Sequence, residues 1–167
     1  MHIFYKEKSV IGQSKLQTEG FRPTMAVIEA GLIVNGMPII RSVYYPDEKE
    51  VDPFIRTGLF TAIQTFASKA FDDEAEEMKL KRYSLIIKDL DPGSNEQLLL
   101  YSVAEKGTDV SEVKKRLANL EKKLDLDRVI LDSPVMTSEL KQIKKMIDKE
   151  LKDLCLKPAD RAKGVFG

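Results

Sequence analysis

The chain has no tryptophan, one cysteine, one histidine and no excess of either charge in 167 residues, and each scarcity closes off a class of function. A lone Cys155 leaves no internal disulfide and no thiolate cluster for a metal, a pattern suited to a reducing compartment. The single histidine is His2, so a Ser-His-Asp or Cys-His arrangement would rest on a base at the chain terminus, whereas catalysis needs positioned groups. Gly93, Gly107 and Gly164 each stand alone, and no glycine-rich loop is present to cradle a phosphate. With 27 basic and 27 acidic residues there is no global field to attract nucleic acid. No apolar run approaches the ~18 residues of a membrane span, and the first residues lack the apolar core of a signal peptide. The expectation is a cytoplasmic protein whose membrane contact is at most peripheral. No residue nominates itself as catalytic, so a non-enzymatic protein without cofactor or metal is expected.

What the chain does have is a series of clearly patterned segments. Ala26 to Val34 and Met37 to Tyr45 are rich in β-branched and aromatic residues and flank Asn35-Gly36. That dipeptide accepts the two positive φ angles of a type I′ turn, so the stretch predicts a β-hairpin. Pro38 cannot donate to a ladder and suits an edge strand, which another chain could extend. Ile40 and Tyr44 are therefore candidate contact residues. Asp52-Pro53 predicts a helix start, with a carboxylate at the N-cap and proline in the first turn. The helix runs to about Phe71. Ile55, Leu59, Ala62, Ile63, Phe66 and Ala70 recur at three- and four-residue steps and are assigned to the core. Beside them Phe60, Ala67 and Phe71, flanked by Gln64, form a second apolar line. That line either packs against the later helix on the same sheet face or is an exposed contact line for a partner.

The acidic run Asp72-Asp73-Glu74-Ala75-Glu76-Glu77 lacks the ligand spacing and glycine of a calcium loop and reads as a solvated loop. Met78 to Lys88 is strand-like, divided near Lys81-Arg82, and Leu98 to Ala104 reads as a well-buried strand. Asp109 with Glu112 three residues later has the spacing of a capping box. Val110, Val113, Leu117, Leu120 and Leu124 then form one apolar stripe. A last helix from Thr137 to Leu156 turns Leu140, Ile143, Ile147, Leu151 and Leu154 inward and carries lysines outward, and a basic tail follows from Lys157.

The order of these segments resembles the longin fold, with its relative the roadblock domain as the neighbouring possibility. Met25-Ala26-Val27-Ile28 leading through the Asn-Gly turn, Asp52 to Phe71, Met78 to Ile87, and Leu98 to Ala104 with the Asp109 helix carry the resemblance. A roadblock domain would place a helix before the hairpin, and residues 1–24 do not look helical. The resemblance implies an α+β fold: a five-stranded antiparallel sheet in β-β-α-β-β-β-α order, plus an extra C-terminal helix. Residues 25–131 would form the longin-like domain, preceded by an arm or edge strand over 1–24 and followed by a helix and tail over 132–167. Both helices of the domain are expected on one sheet face, with Phe66 and Leu117 in the core. Longin domains serve as docking platforms, often for small GTPases or for another longin domain. The implied function is therefore a free-standing, non-enzymatic adaptor that forms a homo- or heterodimer and binds a small GTPase or a trafficking-complex partner. Two other readings stay open: a component of a GTPase nucleotide-exchange regulator or a roadblock-type scaffold, and a ligand-sensing module of the PAS or profilin-like kind.

Overall fold

Asn35 and Gly36 take φ angles of 49° and 82°, and their turn joins β1 (Val27–Val34) to β2 (Met37–Val43) as an antiparallel hairpin. The computed structural model describes residues 26–46, 51–90, 95–125 and 137–156. The expectations for the arm over 1–24, for His2 and for the basic tail over 157–167 lie outside them. Helix α1 (Pro53–Phe71) starts as its sequence dictates: the Asp52 carboxylate accepts from the Phe54 amide at 2.9 Å. It stops where Asp72 turns into the left-handed region at φ 51°, a conformation that Asp tolerates better than most residues.

The strand-like stretch after α1 divides as expected into β3 (Glu77–Lys79) and β4 (Tyr83–Asp89), and β5 (Leu98–Glu105) follows. The five strands form one antiparallel sheet in the order β2-β1-β5-β4-β3. With α2 (Val110–Lys123) this is the longin-like β-β-α-β-β-β-α order, and α3 (Thr137–Leu151) is the extra C-terminal helix. β2 is an edge strand, where Pro38 costs no ladder bond. The last helix ends at Leu151 rather than Leu156, but Leu154 and Cys155 remain buried in the turns beyond it. The Leu154 carbonyl accepts from the Val27 amide at 2.9 Å.

The helices divide between the two faces of the sheet, which corrects the expectation of a shared face. On one side Val27, Ala30, Leu32, Ile86, Leu98 and Leu100 pack with Val113, Leu117 and Leu120 of α2 and Ile143, Ile147 and Leu151 of α3. On the other, Ile28, Ile33, Leu85, Ile87, Leu99, Tyr101 and Val103 pack with Phe60 of α1. Strand β5 is buried along its whole length because its unbroken apolar run feeds both faces, and a sheet with helices on one side only has no use for such a run. Asp109 caps α2 by accepting from the Glu112 amide at 3.2 Å, while the Glu112 carboxylate turns to Arg116 Nε at 2.9 Å rather than back to the cap. Arg116 ties α2 to the C-terminal end of α3 and the turn beyond it. It donates to both Asp153 oxygens at 3.0 Å and to the Glu150 carbonyl at 2.8 Å.

Candidate functional site

Helix α1 sits on its sheet face through polar groups. Glu29 is the one charge in β1, and its carboxylate is buried. It accepts from Arg41 Nε of β2 at 2.5 Å, from Arg56 Nη1 of α1, and from the Tyr101 hydroxyl of β5 at 3.0 Å. A buried carboxylate is tolerated only when paired and hydrogen-bonded; the two guanidiniums and the phenol supply that pairing and fasten three elements together. Burial, with the Glu29 charge beside it, holds the Tyr101 hydroxyl well above the usual phenol pKa. The Tyr101 ring meets Phe60 at 4.8 Å between centroids. It also crowds Gly31, where a Cβ would collide with the Ile40 carbonyl and lie 2.8 Å from Tyr101 Cε1.

The same underside continues along α1. Thr57 Oγ1 donates to the Gly36 carbonyl at 3.1 Å, and Gln64 donates to Asp89 at 2.9 Å while accepting from the Ala75 amide at 2.8 Å. Thr57, Phe60 and Gln64 are the buried residues of the helix. At 100° per residue, Ile55, Leu59, Ala62 and Phe66 lie within about 60° of arc on the opposite side.

Most of the stripe assigned to the core therefore faces away from the sheet, with Ile63 the exception, partly buried against the sheet cluster. Ile55 is 70% exposed, Phe66 72% and Leu59 44%, with Phe54 and Phe71 exposed at the two ends. Phe66 is not a core residue, whereas Leu117, 1% exposed, is. Along the edge strand Met37, Ile39 and Val43 are exposed as well. Phe54 and Phe71, at the two ends of the helix, are turned more than about 100° away from this stripe at 100° per residue. The outward apolar surface is therefore that of Ile55, Leu59 and Phe66, and contiguous exposed apolar surface of this kind marks contact sites.

The six residues expected to contact a partner separate accordingly. Phe60, Gln64 and Ile40 are buried inside the chain and cannot reach a partner. Tyr44 packs against the α2/α3 core and donates to Asp148 Oδ1 at 2.7 Å. Ala67 is half-buried, and Phe71 is exposed. Periodicity could not orient α1, since the helix is apolar on several sides. The signal that could have done so was Glu29: a carboxylate in an apolar strand asks for a cation, and α1 has two, Arg56 and Lys69.

A polar hollow of about 630 Å³ at the C-terminal end of α1 is lined by Gln64, Ser68, Asp72, Asp73, Glu74, Glu76 and Asp89. Among the described residues no three His, Cys, Asp or Glu side chains are placed to hold a metal ion, and no helix is long and apolar enough to cross a membrane.

No family model matches the sequence, and no curated protein matches it. Among solved structures the chain is similar to MglB in a tetrameric arrangement, at 18% identity and a TM-score of 0.40, over 83% of this chain and 89% of that one.

Proposed function

We propose that this chain is a non-enzymatic, cytoplasmic adaptor that works by protein docking, with the outward stripe of α1 as its contact surface and a small GTPase or another longin- or roadblock-type protein as the class of partner. The observation that carries the reading is the orientation of α1, whose polar side is bonded to the sheet while Ile55, Leu59 and Phe66 face water. The energetic logic is direct. Covering apolar area contributes about 25 cal/mol per Å², and a stripe of this size left in water is stabilised by any partner that covers it. The partner class comes from the longin-like order of elements.

The test is capture from a lysate of the source organism with wild-type chain and Phe66→Asp as baits, followed by identification of the bound proteins. The expected result is a small GTPase or a longin/roadblock protein held by the wild type and lost by Phe66→Asp, with both baits melting at the same temperature. Equal capture by both overturns the stripe as the docking surface. A nucleotide-release assay on any captured GTPase separates adaptor from exchange factor, because an adaptor leaves the release rate unchanged.

A further inference from the structure

We infer that the outer side of α2 and α3 is a membrane-contact face that rests on an anionic lipid leaflet, leaving the α1 stripe, on the opposite side of the sheet, turned away from the bilayer. The two faces act independently, whatever occupies that stripe. α2 and α3 bury their apolar stripes against the same sheet face, so their other sides form one outer layer. At 100° per residue, Lys115 and Lys122 of α2 and Lys141, Lys145 and Lys149 of α3 lie within about 60° of the direction opposite the buried stripes. Lys152 follows in the turn after α3. All six lysines are exposed, and among the described residues none of them has a carboxylate partner. The acidic residues of the same helices stand about 70–120° from that direction. Ion pairs and hydrogen bonds hold most of them aside: Glu112 to Arg116, Glu121 to Lys88, Asp148 to Tyr44 and Lys144, and Glu150 to Lys123 and Asn119. Asp153, beside Lys152, is held by Arg116. A chain with no net charge thus carries one locally basic plane.

An anionic bilayer is the partner that fits this chemistry. Two packed helices present a broad layer rather than a projecting element that could enter a nucleic-acid groove. None of the exposed residues described in either helix is aromatic, so bases would find no platform on which to stack. The cations are all lysines, hydrated point charges without the rigid fork of arginine; they suit a mobile plane of headgroups better than one bidentate anion. Near an anionic leaflet each lysine is worth about a fivefold gain in affinity. Six of them give reversible, peripheral contact, not the permanent hold of a spanning helix. A molecule resting on α2 and α3 holds Ile55, Leu59 and Phe66 toward water, because α1 packs on the other sheet face.

Flotation of the full chain with vesicles tests the proposal, using phosphatidylcholine alone and an equimolar mixture of phosphatidylcholine and phosphatidylserine. The wild type should float with the mixed vesicles only, and added salt should release it by screening exposed charges. Lys141→Gln, Lys145→Gln and Lys149→Gln combined should weaken binding on the order of 100-fold. Lys69→Gln, Lys79→Gln and Lys81→Gln combined make the same change in net charge away from the face and should weaken it less than about fivefold. Both triple variants should melt at the wild-type temperature, since all six substituted side chains are exposed. Equal losses in the two triple variants overturn the face. A wild type that never floats with the mixed vesicles at low salt overturns the lipid, and its retention on immobilised polyglutamate would then assign the face to an acidic protein. The orientation is read with a polarity-sensitive dye on Ser138→Cys, which shares the outer side of α3 with Lys145, and on Phe66→Cys; the native Cys155 is buried. Mixed vesicles should shift the emission from position 138 and leave that from position 66 unchanged. Equal shifts overturn the arrangement that keeps α1 clear of the bilayer.

Discussion

Glu29 sits where a strand has no room for solvent, and its stability depends on three donors drawn from β2, α1 and β5. Glu29→Gln keeps the shape and removes the buried charge that Arg41 and Arg56 share. Breaking a buried pair from one side typically costs about 3–5 kcal/mol. Guanidinium unfolding should show a loss in that range, with the far-UV spectrum at zero denaturant unchanged. A loss under about 0.5 kcal/mol, the level of an ordinary surface substitution, would mean that the network does not fasten α1 to the sheet.

At the level of single elements, the two sides of α1 should respond differently to the same truncation. Phe60→Ala removes a ring packed on Tyr101 beneath the helix and should cost about 3–5 kcal/mol. Phe66→Ala, in dilute conditions where the chain is a single copy, should cost no more than about 0.5 kcal/mol. Paired urea titrations read both. Most elements were legible in advance: the Asn-Gly turn, the Asp52 and Asp109 caps, the split of β3 from β4, and the inward stripes of α2 and α3 are local signals that tertiary context did not override. The seating of α1 was not legible, because periodicity reports a stripe without saying which way it faces. The sheet face it covers takes one fully buried apolar side chain from the helix, Phe60, with Ile63 partly buried beside it, and its other contacts are polar, through Thr57, Gln64 and Arg56. The candidate surface was visible as a set of residues, Ile55, Leu59 and Phe66 among them, but assigned to the wrong environment. The helical division between faces was written in Leu98-Leu99-Leu100-Tyr101, whose lack of alternation marks a strand buried on both sides.

Across the whole molecule, α3 closes the second face through Glu150, which accepts from Lys123 Nζ at 2.7 Å and from Asn119 Nδ2 at 3.2 Å. The Lys123 ammonium holds the Glu150 carboxyl below its ordinary value of 4.5, with burial opposing and Asn119 adding to the effect. A depressed carboxylate stabilises the fold above its unfolded pKa, and that contribution is lost as pH falls through the folded one. The melting temperature of wild type should thus exceed that of Glu150→Gln at pH 7, and the gap should close as pH drops below about 4.5. A gap that is constant over that range would assign the difference to packing instead of charge.

The backbone bond from Val27 to Leu154 and the place of β1 between β2 and β5 bear on how the chain is made. As it leaves the ribosome, the hairpin of β1 and β2 emerges before the rest of the sheet with both apolar faces bare, and its neighbour β5 is complete only after about sixty residues of further synthesis, roughly 3–12 s at the usual elongation rate. The closing bond waits longer still, for the segment after α3. During that interval the nascent chain exposes a strand edge that later becomes interior, and pairing across so long a stretch of sequence is the kind of contact that slows folding.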